Sequence, residues 1–177
     1  MKMDNNQRTV FDIIALRKSV RTFKDQPVEQ EKITRILEAA RLAPSSSNRQ
    51  EWRFVVLNDR KLIRKVAKSA CPQPFIQTAP VLIVACAKTD LHVMNCGQLS
   101  YPIDVAIALD HIALSAVELG LGACWIGMFD ADRVKAALGI PRDIPAVSIM
   151  ALGYPAEGGS EEKIRLPLSE IVRYNKW

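Results

Sequence analysis

Two arginines and a serine alternate in LRKSVRTF, Leu16 to Phe23: Arg17, Ser19 and Arg21 stand at i, i+2 and i+4, with Lys18 between them. In an extended chain that spacing turns the three side chains to one side. Two guanidinium forks and a hydroxyl on one face suit a phosphate, because guanidinium stays charged and can donate two parallel hydrogen bonds. Cations in this number are also ordinary on a solvated surface or at the negative end of a helix dipole. The segment alone therefore leaves two readings, surface charge or an anion grip.

The stretch PSSSNRQ offers a different chemistry. Ser45, Ser46, Ser47, Asn48 and Gln50, behind Pro44, are short donors and acceptors suited to hydroxyls or to the edge of a heterocycle. They are equally suited to bonding their own loop backbone. Near the C-terminus Lys163 and Arg165 alternate with Ile164 and Leu166, so two more cations share one side of an extended segment, as rim charges or as a second hold on the same anion. In GLGACWIG, Gly120, Gly122 and Gly127 do not form G-x-G-x-x-G and precede a strand-like run, which excludes a dinucleotide fingerprint. Glycines there still let backbone N–H groups approach a flat ligand.

Other chemistries find no support. Cys71, Cys86, Cys96 and Cys124 form no C-x-x-C pair, and His92 and His111 have no second ligand nearby, so no metal is expected. Cys86 and Cys124 lie in apolar runs, where a free cysteine acts as a small core residue. No serine sits in G-x-S-x-G, so no nucleophile with a base is expected. The net charge of +5 speaks to partners rather than to fold. Aromatic residues are only 6% of the chain, too few for the stacking platforms of a nucleic-acid binder, and no nucleic-acid partner is expected. The N-terminal stretch is polar, unlike a secretory signal. The longest unbroken apolar run, Pro80 to Ala87, is far below the roughly 18–20 residues that span a bilayer. A cytoplasmic protein with reduced thiols and no membrane segment is expected.

The elements that must position these residues follow from periodicity. With 177 residues, 49% of them hydrophobic, the chain suits one domain over 1–177. Thr9 and Asp12 resemble a capping box that opens a helix over residues 10 to 17. Glu29 and Glu31 start a second helix, with Ile33, Ile36, Leu37 and Ala40 on one face, ending before Pro44. WRFVVL reads as a strand, Asn58 as the cap of a helix through KLIRKVAK, and VLIVACA as a buried central strand. From Ile103 to Leu119 only Asp104, Asp110, His111, Ser115 and Glu118 interrupt an apolar helix, which must be covered on several sides, by its own sheet or also by a second subunit. ACWIG is strand-like, DADRVKAALG is a capped helix ending at Gly139, and AVSIMALG is another buried strand. The half-apolar, basic tail from Lys163 suits a segment that packs onto something. No repeat is present, and the spacing is too irregular for successive β-α-β units, so a mixed sheet with helices on both faces is expected.

RKSVR after the first helix, PSSSNRQEW after the second, CWIG before a late strand and K-x-R near the C-terminus stand in an order that resembles the nitroreductase family of FMN-dependent oxidoreductases, over nearly the whole chain. The family's opening motif, Arg-x-Ser-x-Arg/Lys, is matched by Arg17, Ser19 and Arg21. Its second, Pro-Ser-x-x-Asn-x-Gln-Pro-Trp, is matched by Pro44, Ser45, Asn48, Gln50 and Trp52. Glu51 stands where the family commonly has proline, a departure that bears on the loop's conformation and on Gln50.

The resemblance implies an α+β fold with a mixed, mostly antiparallel sheet, and an intertwined homodimer with two FMN sites at its interface. Arg17, Lys18, Ser19, Arg21, Lys163 and Arg165 of one subunit would hold the phosphate, ribityl chain and pyrimidine edge. Pro44, Ser45, Ser46 and Asn48 would come from the other subunit, and Gln50 would also contact the cofactor. The backbone at Ile126 and Gly127 would lie by the flavin N5, and the helix from residue 103 would line the interface. The implied reaction is reduction of FMN by NADH or NADPH, then of an electron-poor acceptor such as a nitroaromatic or quinone, in ping-pong fashion and with no catalytic side chain. Reductive dehalogenation, flavin-consuming chemistry, and a non-catalytic flavin or nucleic-acid binder stand as alternatives.

Overall fold

The computed structural model describes residues 8–156 and 163–177. Helix α1, Val10–Leu16, opens on the expected capping box: the Asp12 N–H donates to Thr9 Oγ1 at 3.2 Å and the Thr9 N–H to the Asp12 carboxylate at 2.8 Å. The chain turns extended at Arg17 and meets the sheet, where the Val20 N–H donates to the Ala123 carbonyl at 2.9 Å. Helix α2, Gln30–Arg41, buries Ile33, Ile36 and Ala40, the stripe its periodicity predicts. Each isoleucine taken from water contributes about 1.5–3 kcal/mol.

Strand β1, Trp52–Leu57, leads to α3, Arg60–Ala70. Asp59, not Asn58, caps α3, its Oδ1 accepting from the Lys61 and Leu62 N–H groups at 2.7 and 3.0 Å. Strand β2, Val81–Ala87, is buried throughout. Helix α4, Ser100–Glu118, starts three residues before the predicted Ile103. Pro102 falls in its first turn, where no N–H is needed, so proline does not stop the helix from reaching back to Ser100. Strand β3, Gly122–Ile126, helix α5, Ala131–Leu138, and strand β4, Ala146–Gly153, follow, with Gly139 ending α5 in the left-handed region at φ 67°. A last turn of helix, α6, spans Leu168–Ile171.

The sheet order is β1-β2-β4-β3 with every neighbour antiparallel. Parallel pairing among the described residues is confined to a bridge between Ser19 and Ala123. Side chains of β2 alternate between two cores. Val81, Ile83, Ala85 and Ala87 meet residues of α2 and α4 on one face; Leu82, Val84 and Cys86 meet residues of α3 and α5 on the other. Helices therefore cover both faces, as expected for this pattern. One end of the sheet is closed tightly: a Cβ at Gly122 would stand 2.5 Å from Val20 Cγ2, and one at Gly153 would stand 2.5 Å from Pro80. The other end carries Trp52, Ala87, Ala146 and Ile126, and the loops attached to them.

By length and composition α4 could cross a membrane, a property that an unbroken-run reading misses because polar residues interrupt it. Here it is a core helix, with Val105, Ala108, Leu109, Ile112 and Ala116 fully buried. Burial pushes the Cys71 thiol up to about 11 and raises Cys86 and Cys124 as well, in keeping with cysteines that serve as core side chains. Cys96 is exposed.

Lys32 Nζ donates to Tyr154 Oη at 2.7 Å and to the Leu119 carbonyl at 3.2 Å, while Tyr154 Oη donates to Glu29 Oε2 at 2.6 Å. The starts and ends of three elements are thereby tied together. The Tyr154 bond, with smaller help from the Glu29 N–H and Lys32, holds the Glu29 carboxyl below its usual range. A carboxyl lowered by folding contributes stability above its unfolded pKa and loses it as the pH falls through the folded value. The melting-temperature gap between the protein and its Glu29→Gln variant is therefore expected to be open at pH 7 and to narrow toward pH 3; a gap independent of pH would refute the role given to this carboxylate.

Candidate functional site

β3 is an edge strand, and RKSVR docks on its free side through the Ser19–Ala123 bridge. Val20 enters the core against Gly122, which turns its neighbours Ser19 and Arg21 away from the core. Arg17 and Ser19 are half-buried, and Lys18 and Arg21 are exposed. Lys163 returns to the same place, its Nζ donating to the Ile14 and Ala15 carbonyls at 2.8 and 3.0 Å, the unpaired C-terminal groups of α1. Burial first, then the charges of Arg17 and Arg165, push the Lys163 ammonium below its ordinary value. Cations held this close disfavour one another unless an anion joins them.

About 13 Å of extended strand separates Ala123 from Gly127 at the other end of β3. Ile126 is buried, and its carbonyl accepts from Ser148 Oγ at 3.0 Å, which fixes the orientation of the next peptide. Gly127 is open, with nothing within 4 Å of where a Cβ would stand. Beyond it the Asp130 N–H donates to the Ala70 carbonyl at 2.8 Å, bringing in the end of α3. Three residues past Ala70, the side-chain oxygen of Gln73 is buried with no partner among the described residues.

The serine-rich loop sits at the other edge of the sheet, ahead of β1. Ser47, Asn48 and Gln50 hold positive φ values of 48°, 55° and 51°. For residues other than glycine each costs about 1–2 kcal/mol, and local bonds hold them there. Ser45 Oγ accepts from the Gln50 N–H at 3.0 Å, and Gln50 Nε2 donates to Asn48 Oδ1 at 3.0 Å. The Ser46 N–H donates at 3.0 Å to Asp104 Oδ1 on α4, whose other oxygen is buried and unpartnered. Glu51, in place of the resemblance's proline, is buried. Ser100 Oγ donates to its Oε2 at 3.1 Å, and Arg49 bridges it and Asp90. Pro44 is exposed at the head of this loop.

Within one chain, then, Arg17, Lys18, Ser19, Arg21, Ile126, Gly127, Lys163 and Arg165 border one edge of the sheet, while Pro44, Ser45, Ser46, Asn48 and Gln50 border the other. Three strand spacings, about 14 Å, lie between the edges. The first group suits an elongated ligand with an anionic end near Arg17 and a flat polar end near Gly127. Asp104 and Ser148 were not singled out from the sequence, although a polar residue at a buried helix or strand position is the signal that could have found them. Gln73 sits in a proline-punctuated stretch and carries no such signal. His111 Nδ1 lies 3.1 Å from the Ala39 carbonyl, a satisfied helical histidine.

The sequence profile of the Nitroreductase family matches residues 14–73 and 67–154. A relative in Archaeoglobus fulgidus is 35% identical over 154 residues, covering 82% of this chain and 84% of its own. The FMN reductase [NAD(P)H] of Bacillus subtilis is 32% identical over 87% of this chain and 68% of its own. Among solved structures, an FMN-dependent nitroreductase of Clostridium difficile superposes with a TM-score of 0.77 at 30% identity, covering 93% of this chain and 98% of its own. With the ordered motifs, the sheet and the matched profile in agreement, the chain belongs to the nitroreductase family.

Proposed function

We propose that the protein is an FMN-dependent NAD(P)H oxidoreductase whose single domain, 1–177, works as a cytoplasmic homodimer with the cofactor between subunits. The observation that carries this reading is the placement of Arg17 and Ser19 on the free side of β3, with Lys163 bonded to the end of α1 next to them, a set of donors suited to an anionic group. The unpartnered Gln73 oxygen and the open backbone at Gly127 fit the polar edge of a flavin. The similarity to an FMN reductase and an FMN-dependent nitroreductase supports the same cofactor.

When bound, FMN supplies hydride acceptance from NADH or NADPH at N5 and two-electron release to an electron-poor acceptor of nitroaromatic or quinone type, in alternating half-reactions. The protein's part is binding and orientation. Arg17, Lys18, Ser19, Arg21, Lys163 and Arg165 would share the hold on the phosphate, the ribityl chain and the pyrimidine edge. Ser148 fixes the Ile126 carbonyl and with it the direction of the Gly127 N–H in the same peptide, which would face the flavin ring. Pro44, Ser45, Ser46, Asn48 and Gln50 of the second subunit complete the site, which accounts for their distance from the cation cluster in a single chain. Val10, Phe11, Leu42, Leu168, Ile171 and Trp177 are exposed apolar side chains that a second subunit would cover.

The purified protein is expected to be yellow, to bleach under anaerobic NADH or NADPH, and to sediment at twice the chain mass. A colourless protein that takes up no FMN, or a flavin-loaded monomer, would overturn the reading.

A further inference from the structure

Helix α3 reads RKLIRKVAKSA, with five cations and no acid in 11 residues. The chain has 24 Lys and Arg against 19 Asp and Glu, so its formal net charge of +5 equals that of this one helix and the remaining residues balance. Lys61, Arg64, Lys65 and Lys68 fall at i, i+3, i+4 and i+7 and make one stripe. All four are exposed, while Ile63, Val66, Ala67 and Ala70 face the core.

Several cations elsewhere pair with a carboxylate: Arg35 with Glu118, Arg41 with Glu38, Arg133 with Asp130 and Lys135 with Asp132. Arg60, at the start of α3, pairs with Asp25. The four stripe cations have no ion pair or side-chain hydrogen bond among the described residues, and only the cap Asp59 lies close enough to feel Lys61. Like charges at i, i+4 destabilise a helix, so the stripe costs the folded chain something with no compensation inside it.

The chemistry of the stripe narrows its partner. It carries no aromatic residue to stack on bases and no exposed apolar row to enter a membrane. Its length of roughly 10 Å meets about three phosphates along one strand of a duplex, short of the six to ten contacts of strong binders. Carboxylates on a protein surface match its sign. Its place matters too. The Ser69 carbonyl accepts from Arg133 Nη1 at 3.2 Å and the Ala70 carbonyl from the Asp130 N–H, so the Lys68 end lies beside the turn that follows Gly127.

We propose that the outer face of α3 docks the acidic face of a one-electron carrier protein that draws electrons from the cofactor site beside it. The proposal rests on the flavin reading above. One NAD(P)H supplies two electrons and a proton as hydride; two oxidised carriers each leave with one electron, NAD(P)+ is formed, and the proton passes to solvent.

The test uses the holoenzyme with an acidic flavodoxin as probe, titrated calorimetrically at low and high ionic strength. The protein is compared with a neutral variant (Lys61→Gln, Arg64→Gln, Lys65→Gln, Lys68→Gln) and a charge-conserving one (Lys61→Arg, Arg64→Lys, Lys65→Arg, Lys68→Arg). Salt-sensitive binding is expected that the neutral variant loses by at least about tenfold and the charge-conserving variant keeps, because complementary charge governs such encounters. Quinone turnover with NAD(P)H should be alike in all three. Equal binding by the neutral variant, no salt-sensitive binding by the unaltered protein, or tighter binding to duplex DNA or anionic vesicles would overturn the proposal. A holoenzyme with reducible flavin but no stripe-dependent binding refutes the docking face alone, whereas a protein that takes up no reducible flavin refutes the functional reading.

Discussion

Replacing Arg17 and Arg21 together by alanine is expected to give a folded protein that loses FMN during gel filtration, its dissociation constant raised roughly 10²- to 10⁴-fold. A hydrogen bond to a charged group contributes about 1.5–3 kcal/mol, and every 1.4 kcal/mol is about tenfold in affinity. Two guanidinium groups on one phosphate therefore account for about 3–6 kcal/mol. The fold should survive, because Arg21 is exposed, Arg17 is only half-buried, and the core contact of this segment is made by Val20. Lys163 provides an internal check. Loss of the Arg17 charge removes one of the causes that depress its ammonium, so its titration should move back toward the ordinary lysine range. Lysine at both positions should restore part of the affinity, since ammonium keeps the charge but not the fork. Unchanged FMN retention in the alanine variant would remove the phosphate role from this segment.

Gly122→Ala should damage fold and site together. The added Cβ would meet Val20 Cγ2 at 2.5 Å, Val20 Cβ at 2.8 Å and Pro155 Cγ at 3.1 Å. Overpacking of this kind costs about 1–3 kcal/mol, and the relief available is to push Val20, with Ser19 and Arg21, off the edge of β3. A lower urea midpoint and weakened FMN binding are expected in the same variant. Gly127→Ala is the control for the stability half of that result. Nothing lies within 4 Å of its Cβ, so its urea midpoint should stay where it was. If Gly122→Ala unfolds and binds FMN like the unaltered protein, the close contact does not position the segment.

The elements were legible where the signal was local. Thr9 and Asp12 are three residues apart and bond as a pair, and AVSIMALG is apolar enough to read as a buried strand, which β4 is. Asn58 and Asp59 both cap helices well, and only the alignment of the first N–H groups selects Asp59. The left-handed backbone at Ser47, Asn48 and Gln50 has no glycine to announce it. Local bonds hold it, and the loop they shape is anchored through Ser46 to Asp104, which comes 58 residues later in the chain and reads from sequence as a mere interruption in an apolar helix. Glu51 stood out as a departure from the resemblance, yet its place between Ser100 and Arg49 depends on a contact 49 residues away. The strand order β1-β2-β4-β3, which puts the two halves of the candidate site on opposite edges, is likewise a product of long-range pairing that no local pattern encodes.

The contrast between the two ends of the sheet bears on where the chain can take up extra residues. At the end closed by Gly122 and Gly153, an inserted residue would have to displace Val20, Phe23 or Pro80 from contacts that already leave no space. At the other end, residues 88–99 join β2 to α4 as a loop held mostly by bonds within itself, among them the Val93–Leu99 bridge and the Gly97 N–H on the Met94 carbonyl, and tied to the serine-rich loop by the Lys88 N–H on the Glu51 carbonyl and by the Arg49–Asp90 pair. Doubling a loop costs only about 0.6 kcal/mol in closure entropy. Insertions between β2 and α4 can therefore be accommodated while the end that seats RKSVR stays unchanged, and their effect falls on the serine-rich loop, which Glu51 and Arg49 tie to Ser100 and Asp90.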